Sequence, residues 1–96
     1  MRHCYIVVYD ISDKKRVKKV FKTMKEFGDH TQLSVFLCRL DLKSFREMQK
    51  KLNAVIEEEE DQIIFFNLGP ENMLPRMDIT HMGRSPVLET RNAIIV

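Results

Sequence analysis

Hydrophobic and polar residues alternate along the chain in blocks that favour a strand first and then a helix. Residues 5–9 are β-branched and aromatic, which is typical of a largely buried strand, and the block ends at Asp10. Ser12 or Asp13 is positioned to cap a following helix, which Gly28 would end. The apolar residues of that helix recur at helical spacing: Val17, Val20, Phe21, Met24 and Phe27. The pattern predicts a helix of about four turns.

The next apolar stretch, residues 31–40, is strand-like but would be long for one strand, since about 5–6 residues is the usual length. Its polar residues 32–34 are compatible with either a bend or a tight hairpin, and the pattern leaves both open. Asp41 then caps a second predicted helix. Its apolar stripe is Leu42, Phe45, Met48, Leu52, Val55 and Ile56.

The acidic run at residues 57–61 is interpreted as the solvated exit from the second helix. It lacks the glycine and the alternating acid spacing of a calcium-binding EF-hand loop. Acids near a helix C-terminus oppose the helix dipole, so fraying is expected there. Residues 62–68 form a third clear apolar strand, closed by Gly69 and Pro70.

With a hairpin in the middle, this order is βαββαβ, an α+β ferredoxin-like arrangement in which two helices cover one face of an antiparallel sheet. The strands are apolar on both faces. In the first strand, Tyr5, Val7 and Tyr9 lie on one face and Ile6 and Val8 on the other. A buried second face would suit a dimer stacked sheet on sheet. We expect a single domain over residues 1–96, with its core in residues 1–68.

The segment from residue 71 onward is less regular, because Pro75, Gly83 and Pro86 interrupt it. Residues 77–82 and residues 93–96 are candidate short strands. A short apolar strand must pair with a sheet edge, its own or a partner's. We therefore expect residues 71–96 to pack at the dimer interface.

Composition places the chain among cytoplasmic proteins without a membrane segment. No stretch approaches the roughly 20 apolar residues of a membrane span, and no signal peptide is expected. Cys4 and Cys38 have no motif spacing and are interpreted as small buried thiols in a reducing compartment.

The net charge of +2 conceals an uneven distribution. The acidic run holds five of the fourteen acids, whereas the segment from Lys14 to Lys25 has seven Lys or Arg and no acid. Such a cluster is typical of a surface for nucleic acid, although a solvated helix face gives the same pattern.

Candidate chemistry is sparse. The sequence has no nucleophile-elbow motif, no phosphate-binding glycine loop and no zinc-ligand spacing, and its three histidines are isolated. Asp10 stands directly at a strand end beside the cationic segment. One carboxylate is a weak Mg²⁺ site, but a two-fold dimer with Asp10 near its axis would supply two.

The residues Tyr9-Asp10-Ile-Ser-Asp13, Arg16, Phe27-Gly28 and Gln32-Leu-Ser34-Val35-Phe36 together resemble the CRISPR-associated protein 2 family, over roughly residues 1–68. The resemblance implies a ferredoxin-like homodimer in which C-terminal strands pack on the neighbouring subunit. It also implies that Asp10 of both subunits holds Mg²⁺, and that Tyr9 and Arg16 assist catalysis. Expected nucleic-acid contacts are Lys14, Lys15, Arg16, Lys19, Ser34 and Phe36, with packing the favoured role of Phe36.

Members of that family act on single-stranded RNA or double-stranded DNA, and some serve as non-catalytic scaffolds in spacer integration. Two hypotheses follow. The chain is either a Mg²⁺-dependent endonuclease of spacer acquisition or a dimeric scaffold that bridges DNA and a partner integrase subunit. A small-molecule sensor is disfavoured, because no residues gather for a pocket. The chain departs from the family pattern at residues 29–31, where His30 would meet a phosphate only when protonated.

Overall fold

The computed structural model describes residues 1–76 and 80–84. The elements follow the order β1 (His3–Asp10), α1 (Lys14–Lys25), β2 (Gly28–Gln32), β3 (Val35–Leu40), α2 (Leu42–Asn53) and β4 (Gln62–Pro70), with a short 3₁₀ helix at Glu71–Arg76. This is the predicted βαββαβ order. Of the candidate strand at residues 77–82, residues 80–82 are not in a strand, and residues 77–79 lie outside the described residues. The candidate strand at residues 93–96 also lies outside them.

The four strands of the described residues form one antiparallel sheet in the order β2-β3-β1-β4. β1 is paired on both sides: Val8 lies opposite Val35 of β3 and Ile64 of β4. Residues 33–34 form a turn between β2 and β3, so the hairpin is the correct one of the two alternatives. β2 begins at Gly28, earlier than the predicted strand start at residue 31.

Both helices cover one face of the sheet. Tyr5, Val7 and Tyr9 of β1 point to that face and belong to the main buried cluster. The helices contribute most of their predicted apolar residues to this cluster, with four fully or almost fully buried: Val20, Met24, Met48 and Leu52. Leu42 is the exception, since it is 56% exposed, and α2 ends at Asn53, before Val55 and Ile56. The predicted layer arrangement is confirmed, because the period-2 pattern of the strand and the helical stripes meet in one core.

The other side of the sheet, called here the open face, is apolar as well. By strand alternation and register it carries Ile6, Val8, Leu37, Ile64 and Phe66. Within the chain Ile64 remains 39% exposed and Phe66 50% exposed. The two-sided apolar pattern predicted from the sequence is therefore present, and the dimer that would cover it stays a prediction.

The helix starts agree with the predicted caps, but the end of α1 differs. Asp13 Oδ2 accepts a hydrogen bond from the Arg16 amide at 3.0 Å, and Asp41 Oδ1 accepts one from the Ser44 amide at 2.8 Å. α1 ends at Lys25 and is 12 residues long, shorter than the predicted four turns. Gly28 is not the helix terminator, because it is the first residue of β2 and its φ is not positive.

Gly28 is required by a close approach between strands. A Cβ at this position would lie 2.6 Å from the carbonyl oxygen of Leu37 and nearer still to Cys38 Sγ. Only glycine lets β2 and β3 approach at this register without displacing the backbone.

We expect Gly28→Ala to lower the free energy of unfolding by about 1–3 kcal/mol, because the added methyl group overpacks the strand pair. Gln32→Ala, at an exposed position of the same strand, is the control and should change it by no more than about 0.5 kcal/mol. Urea unfolding measures both. Equal stability of Gly28→Ala and the parent chain would contradict this explanation of the glycine.

Both cysteines are buried and free, as predicted, and lie on opposite faces of the sheet. Burial raises the pKa of the Cys38 thiol to about 12, so it stays protonated at neutral pH. Among the described residues, no helix has the length and apolar character needed to cross a membrane.

Candidate functional site at the end of the first strand

Asp10 is the last residue of β1 and lies opposite Gln62, the first residue of β4. Its neighbour Tyr9 is buried on the helix side. Strand alternation therefore places Asp10 at the rim of the open face, on the same side as Val8. The residue is exposed, so its carboxylate is accessible to a ligand at this rim.

A carboxylate oxygen is the kind of ligand that Mg²⁺ prefers, and Mg²⁺ is usually held by one or two carboxylates together with water and substrate phosphate. Asp10 fits that chemistry. Within the described part of the chain, no group of three or more His, Cys, Asp or Glu side chains is placed to hold a metal. Two Asp10 carboxylates at one metal ion would need a second copy of the chain.

A buried acid lies directly behind this rim. The Asp61 side chain is 0% exposed and accepts hydrogen bonds from Arg16 Nε at 2.8 Å, the Ser12 amide at 3.0 Å and the Glu57 amide at 2.8 Å. The interpretation of residues 57–61 as a solvated exit is therefore wrong for Asp61. Residues 57–60 are exposed, as expected.

Arg16 is the cation that accompanies this acid. Its Nη2 donates to Asp61 Oδ1 and to Glu60 Oε1, each at 3.2 Å. The hydrogen bond to Asp61 is the largest of the effects that raise the Arg16 pKa. The same bond holds the Asp61 pKa well below its ordinary value, against the opposing effect of desolvation. The Arg16 side chain is 23% exposed, so most of its surface is covered by the protein.

Ser12 completes this group, which we call the Asp61 cluster: Asp61, Arg16, Ser12 and Glu60. The Ser12 hydroxyl accepts from Arg16 Nη2 at 3.2 Å and lies 3.3 Å from Asp61 Oδ1. Ser12 is therefore not the helix cap, which is Asp13 alone. The cluster joins three parts of the chain: the turn after β1, the first turn of α1 and the connection into β4.

Two further predicted site residues lie in the core. Tyr9 and Phe36 are buried, with ring centroids 6.3 Å apart, and burial raises the Tyr9 pKa. Phe36 also packs edge-on against Phe21 at 5.5 Å. From these positions neither ring presents a surface to a nucleic acid, so any part they have in activity is exerted through packing.

Ser34 lies in the β2–β3 turn, and His30 lies in β2 shortly before that turn. The Ser34 carbonyl oxygen accepts a hydrogen bond from the Tyr9 amide at 3.0 Å, which places the turn beside the end of β1 and near Asp10. His30 Nε2 lies 3.1 Å from the Leu33 carbonyl oxygen, and the ring packs edge-on against Phe21 at 4.9 Å. The contact of His30 with phosphate stays a prediction.

The lysines of α1 form a continuous exposed surface, called here the basic face. Its members are Lys14, Lys15, Lys18, Lys19, Lys22 and Lys25. The first turn of α1 contains Lys14, Lys15 and Arg16 and no acid. Cations at a helix N-terminus oppose the helix dipole, so helix stability does not account for this arrangement.

The family model described as CRISPR associated protein Cas2 matches residues 2–74. The chain belongs to the Cas2 family. It is 41% identical to the CRISPR-associated endoribonuclease Cas2 of Geobacter sulfurreducens across 100% of both chains. It is 39% identical to the CRISPR-associated endoribonuclease Cas2 1 of Rhodospirillum rubrum, covering 98% of this chain and 91% of that relative.

A solved structure agrees with this assignment. The crystal structure of Streptococcus pyogenes Cas2 at pH 6.5 superposes with a TM-score of 0.69 and is 29% identical, covering 81% of this chain and 99% of that one. The family resemblance predicted from the sequence is thus confirmed, as is the fold. The part played by each site residue remains a prediction in this Cas2-family chain.

Sequence reasoning missed Asp61 as a member of the site. The sequence does contain a signal for it. Asp61 is the last acid before an apolar strand, so it lies where the chain passes from the surface into the core. It was obscured by the four preceding glutamates, which make the whole run look solvated.

We expect the Asp61–Arg16 pair to make stability depend on pH in acid. The folded pKa of Asp61 lies below its ordinary value of 3.8, so its contribution is complete above about pH 4 and is lost as the pH falls toward the folded pKa. Asp61→Asn should therefore be less stable than the parent at pH 7, and the difference should shrink between about pH 4 and pH 2. Urea unfolding across this range measures it.

The matched control is Glu58→Gln, an exposed acid of the same run. Its stability difference from the parent should stay small at every pH. A difference for Asp61→Asn that did not change with pH would contradict the role given to the ion pair.

Proposed function

We propose that this chain is an endonuclease of CRISPR adaptation that hydrolyses phosphodiester bonds in RNA or DNA, with Asp10 as its metal ligand. The observation that carries the proposal is the placement of Asp10. It is an exposed carboxylate at the end of a doubly paired strand, on the rim of an apolar open face. The names of the relatives, CRISPR-associated endoribonuclease Cas2, support the reaction class.

The proposal includes a homodimer that buries the open face. Phe66 and Ile64 are large apolar side chains left exposed in the single chain, and stacking two such faces would remove them from water. Asp10 lies at the rim of the same face. A two-fold axis near it would bring two Asp10 carboxylates together and so complete a Mg²⁺ site.

Bound Mg²⁺ would lower the pKa of a coordinated water molecule and would place positive charge beside the scissile phosphate. The chain's own residues prepare that site. The exposed lysines of the basic face attract and hold the phosphate backbone without reading base sequence. Tyr9 and Phe36 support the end of β1 from the core, and Arg16 fixes the turn that follows Asp10.

A second candidate function is a non-catalytic scaffold that holds a DNA duplex and a partner integrase subunit. It is favoured by one observation that does not involve Asp10. The first turn of α1 carries two exposed lysines, Lys14 and Lys15, and no acid. Their charge opposes the helix dipole but suits the binding of a phosphate.

Asp10→Asn should lower Mg²⁺-dependent cleavage by at least about a hundredfold, because the substitution removes a metal ligand while keeping the side chain's shape. Labelled single-stranded RNA and double-stranded DNA are incubated with pure protein in Mg²⁺ or in EDTA. Glu58→Gln, which removes an exposed acid of residues 57–61, serves as the control and should retain activity.

Light scattering of both variants shows whether the oligomeric state is unchanged. Cleavage that persists in Asp10→Asn or in EDTA would reject the metal-dependent nuclease. Absence of cleavage by the parent chain, together with tight duplex binding, would favour the scaffold.

The triple variant Lys14→Gln, Lys15→Gln, Lys19→Gln should weaken binding of nucleic acid and flatten its salt dependence. For duplex DNA the slope of log K against log salt should fall by about 0.9 for each lysine that contacts a phosphate. Folding should not suffer, because these side chains are exposed and two of them oppose the helix dipole.

The matched control removes the same charge from exposed positions on α2: Lys43→Gln, Arg46→Gln, Lys50→Gln. Fluorescence anisotropy at several salt concentrations compares the two triple variants. Equal loss of affinity in both would show a general effect of net charge and would reject the basic face as the binding surface.

A further inference from the structure

We propose that Asp61 is a positioning residue for Asp10, acting through Ser12 and Arg16. The proposal deepens the function proposed above, since it rests on Asp10 being the functional carboxylate. Asp61 does not touch a ligand in this arrangement. It fixes the chain on both sides of the point where β1 ends.

Asp61 connects the two chain segments that meet at Asp10. On the strand side, Asp10 lies opposite Gln62, which directly follows Asp61 in the chain. On the turn side, the Ser12 amide, two residues after Asp10, donates to Asp61 Oδ1 at 3.0 Å. The segment that leaves Asp10 is thus held against the segment that enters β4, and one side chain makes the connection.

Asp61 is itself held by several hydrogen bonds. Its Oδ2 accepts from Arg16 Nε at 2.8 Å and from the Glu57 amide at 2.8 Å, while Oδ1 accepts from Arg16 Nη2 at 3.2 Å. Arg16 therefore engages both carboxylate oxygens with a planar fork, a geometry that fixes orientation as well as charge. With the Ser12 and Glu57 amides added, the carboxylate has little freedom to turn.

A charged side chain at position 61 supplies something that an apolar one would not. Asp61 is the buried charged residue among the residues that the structure describes. An apolar pair of similar volume often stabilises a protein as well as a buried ion pair does, so stability alone is a weak reason for one. An apolar pair could not make the directional hydrogen bonds by which Asp61 holds the turn next to Asp10.

The test compares Asp61→Asn with the parent chain by NMR. Asparagine keeps the size but replaces one acceptor oxygen with an NH₂ group, so it cannot receive both Arg16 donors. We expect the Ser12 amide to exchange about tenfold faster and the carboxyl ¹³C resonance of Asp10 to shift, while the amides of Val7 and Met48 in the core keep their protection.

Two further variants sharpen the comparison. Arg16→Lys keeps the charge but loses the fork, so it should produce the same local changes to a smaller degree. Glu58→Gln is the matched control, because Glu58 is an exposed acid of the same run and is not a member of the Asp61 cluster. Its spectra around Asp10 should match those of the parent.

A second readout is the affinity for Mn²⁺ in the absence of substrate, measured by electron paramagnetic resonance. Asp61→Asn should bind Mn²⁺ about five- to tenfold more weakly, at or below the low end of the loss caused by removing a residue that orients a metal ligand. Asp10→Asn should abolish the specific binding.

The outcomes separate the two proposals. Unchanged Ser12 exchange and Asp10 resonance in Asp61→Asn would overturn the positioning role. An equal increase in the amide exchange rates of Ser12, Val7 and Met48 would overturn it too, because that result would indicate only a global loss of stability. If the parent chain binds no Mn²⁺, the metal-dependent function fails, and the NMR comparison alone decides whether Asp61 positions Asp10.

Discussion

The structure depends on β1 being paired along both edges. Because β3 and β4 fix its register, alternate side chains of β1 are assigned to opposite faces without ambiguity. Tyr5, Val7 and Tyr9 enter the core beneath the helices, and Ile6 and Val8 form the open face. Asp10 continues that second series at the strand end. A slip of one residue would bury this carboxylate, so the hydrophobic pattern of the strand also determines where the site lies.

The cations near the end of β1 divide into an inward-turned arginine and exposed lysines within one turn of α1. Arg16 lies among the cations of α1 in sequence, yet it is turned inward to Asp61. The lysines beside it remain exposed. One helical turn therefore performs two tasks, since its arginine fixes the turn after Asp10 and its lysines face the solvent, where a phosphate backbone would approach. The side chains of residues 57–60 are exposed, and Glu60 contacts the same guanidinium.

Much of the fold follows from local patterns. The stripe containing Val20 and Met24 and the alternation of residues 5–9 predict the helix layer and the sheet, and Asp13 and Asp41 mark the helix starts. The bond between Arg16 and Asp61 has no such signature, because it joins positions far apart in sequence and depends on how β4 pairs with β1. The role of Gly28 was misassigned for a similar reason, since its constraint is the approach of Cys38 from another strand.

The pairing of β1 with β4 has a consequence for synthesis on the ribosome. His3 lies opposite Leu40 and Pro70, so one edge of β1 can close early but the other must wait for almost the whole described chain. Until then, a nascent strand that is apolar on both faces has an unsatisfied edge, which is the condition for association with other chains. Contacts this distant in sequence also slow folding. Pairing of β4, the last strand among the described residues, thus ends the period in which the second edge of β1 is exposed.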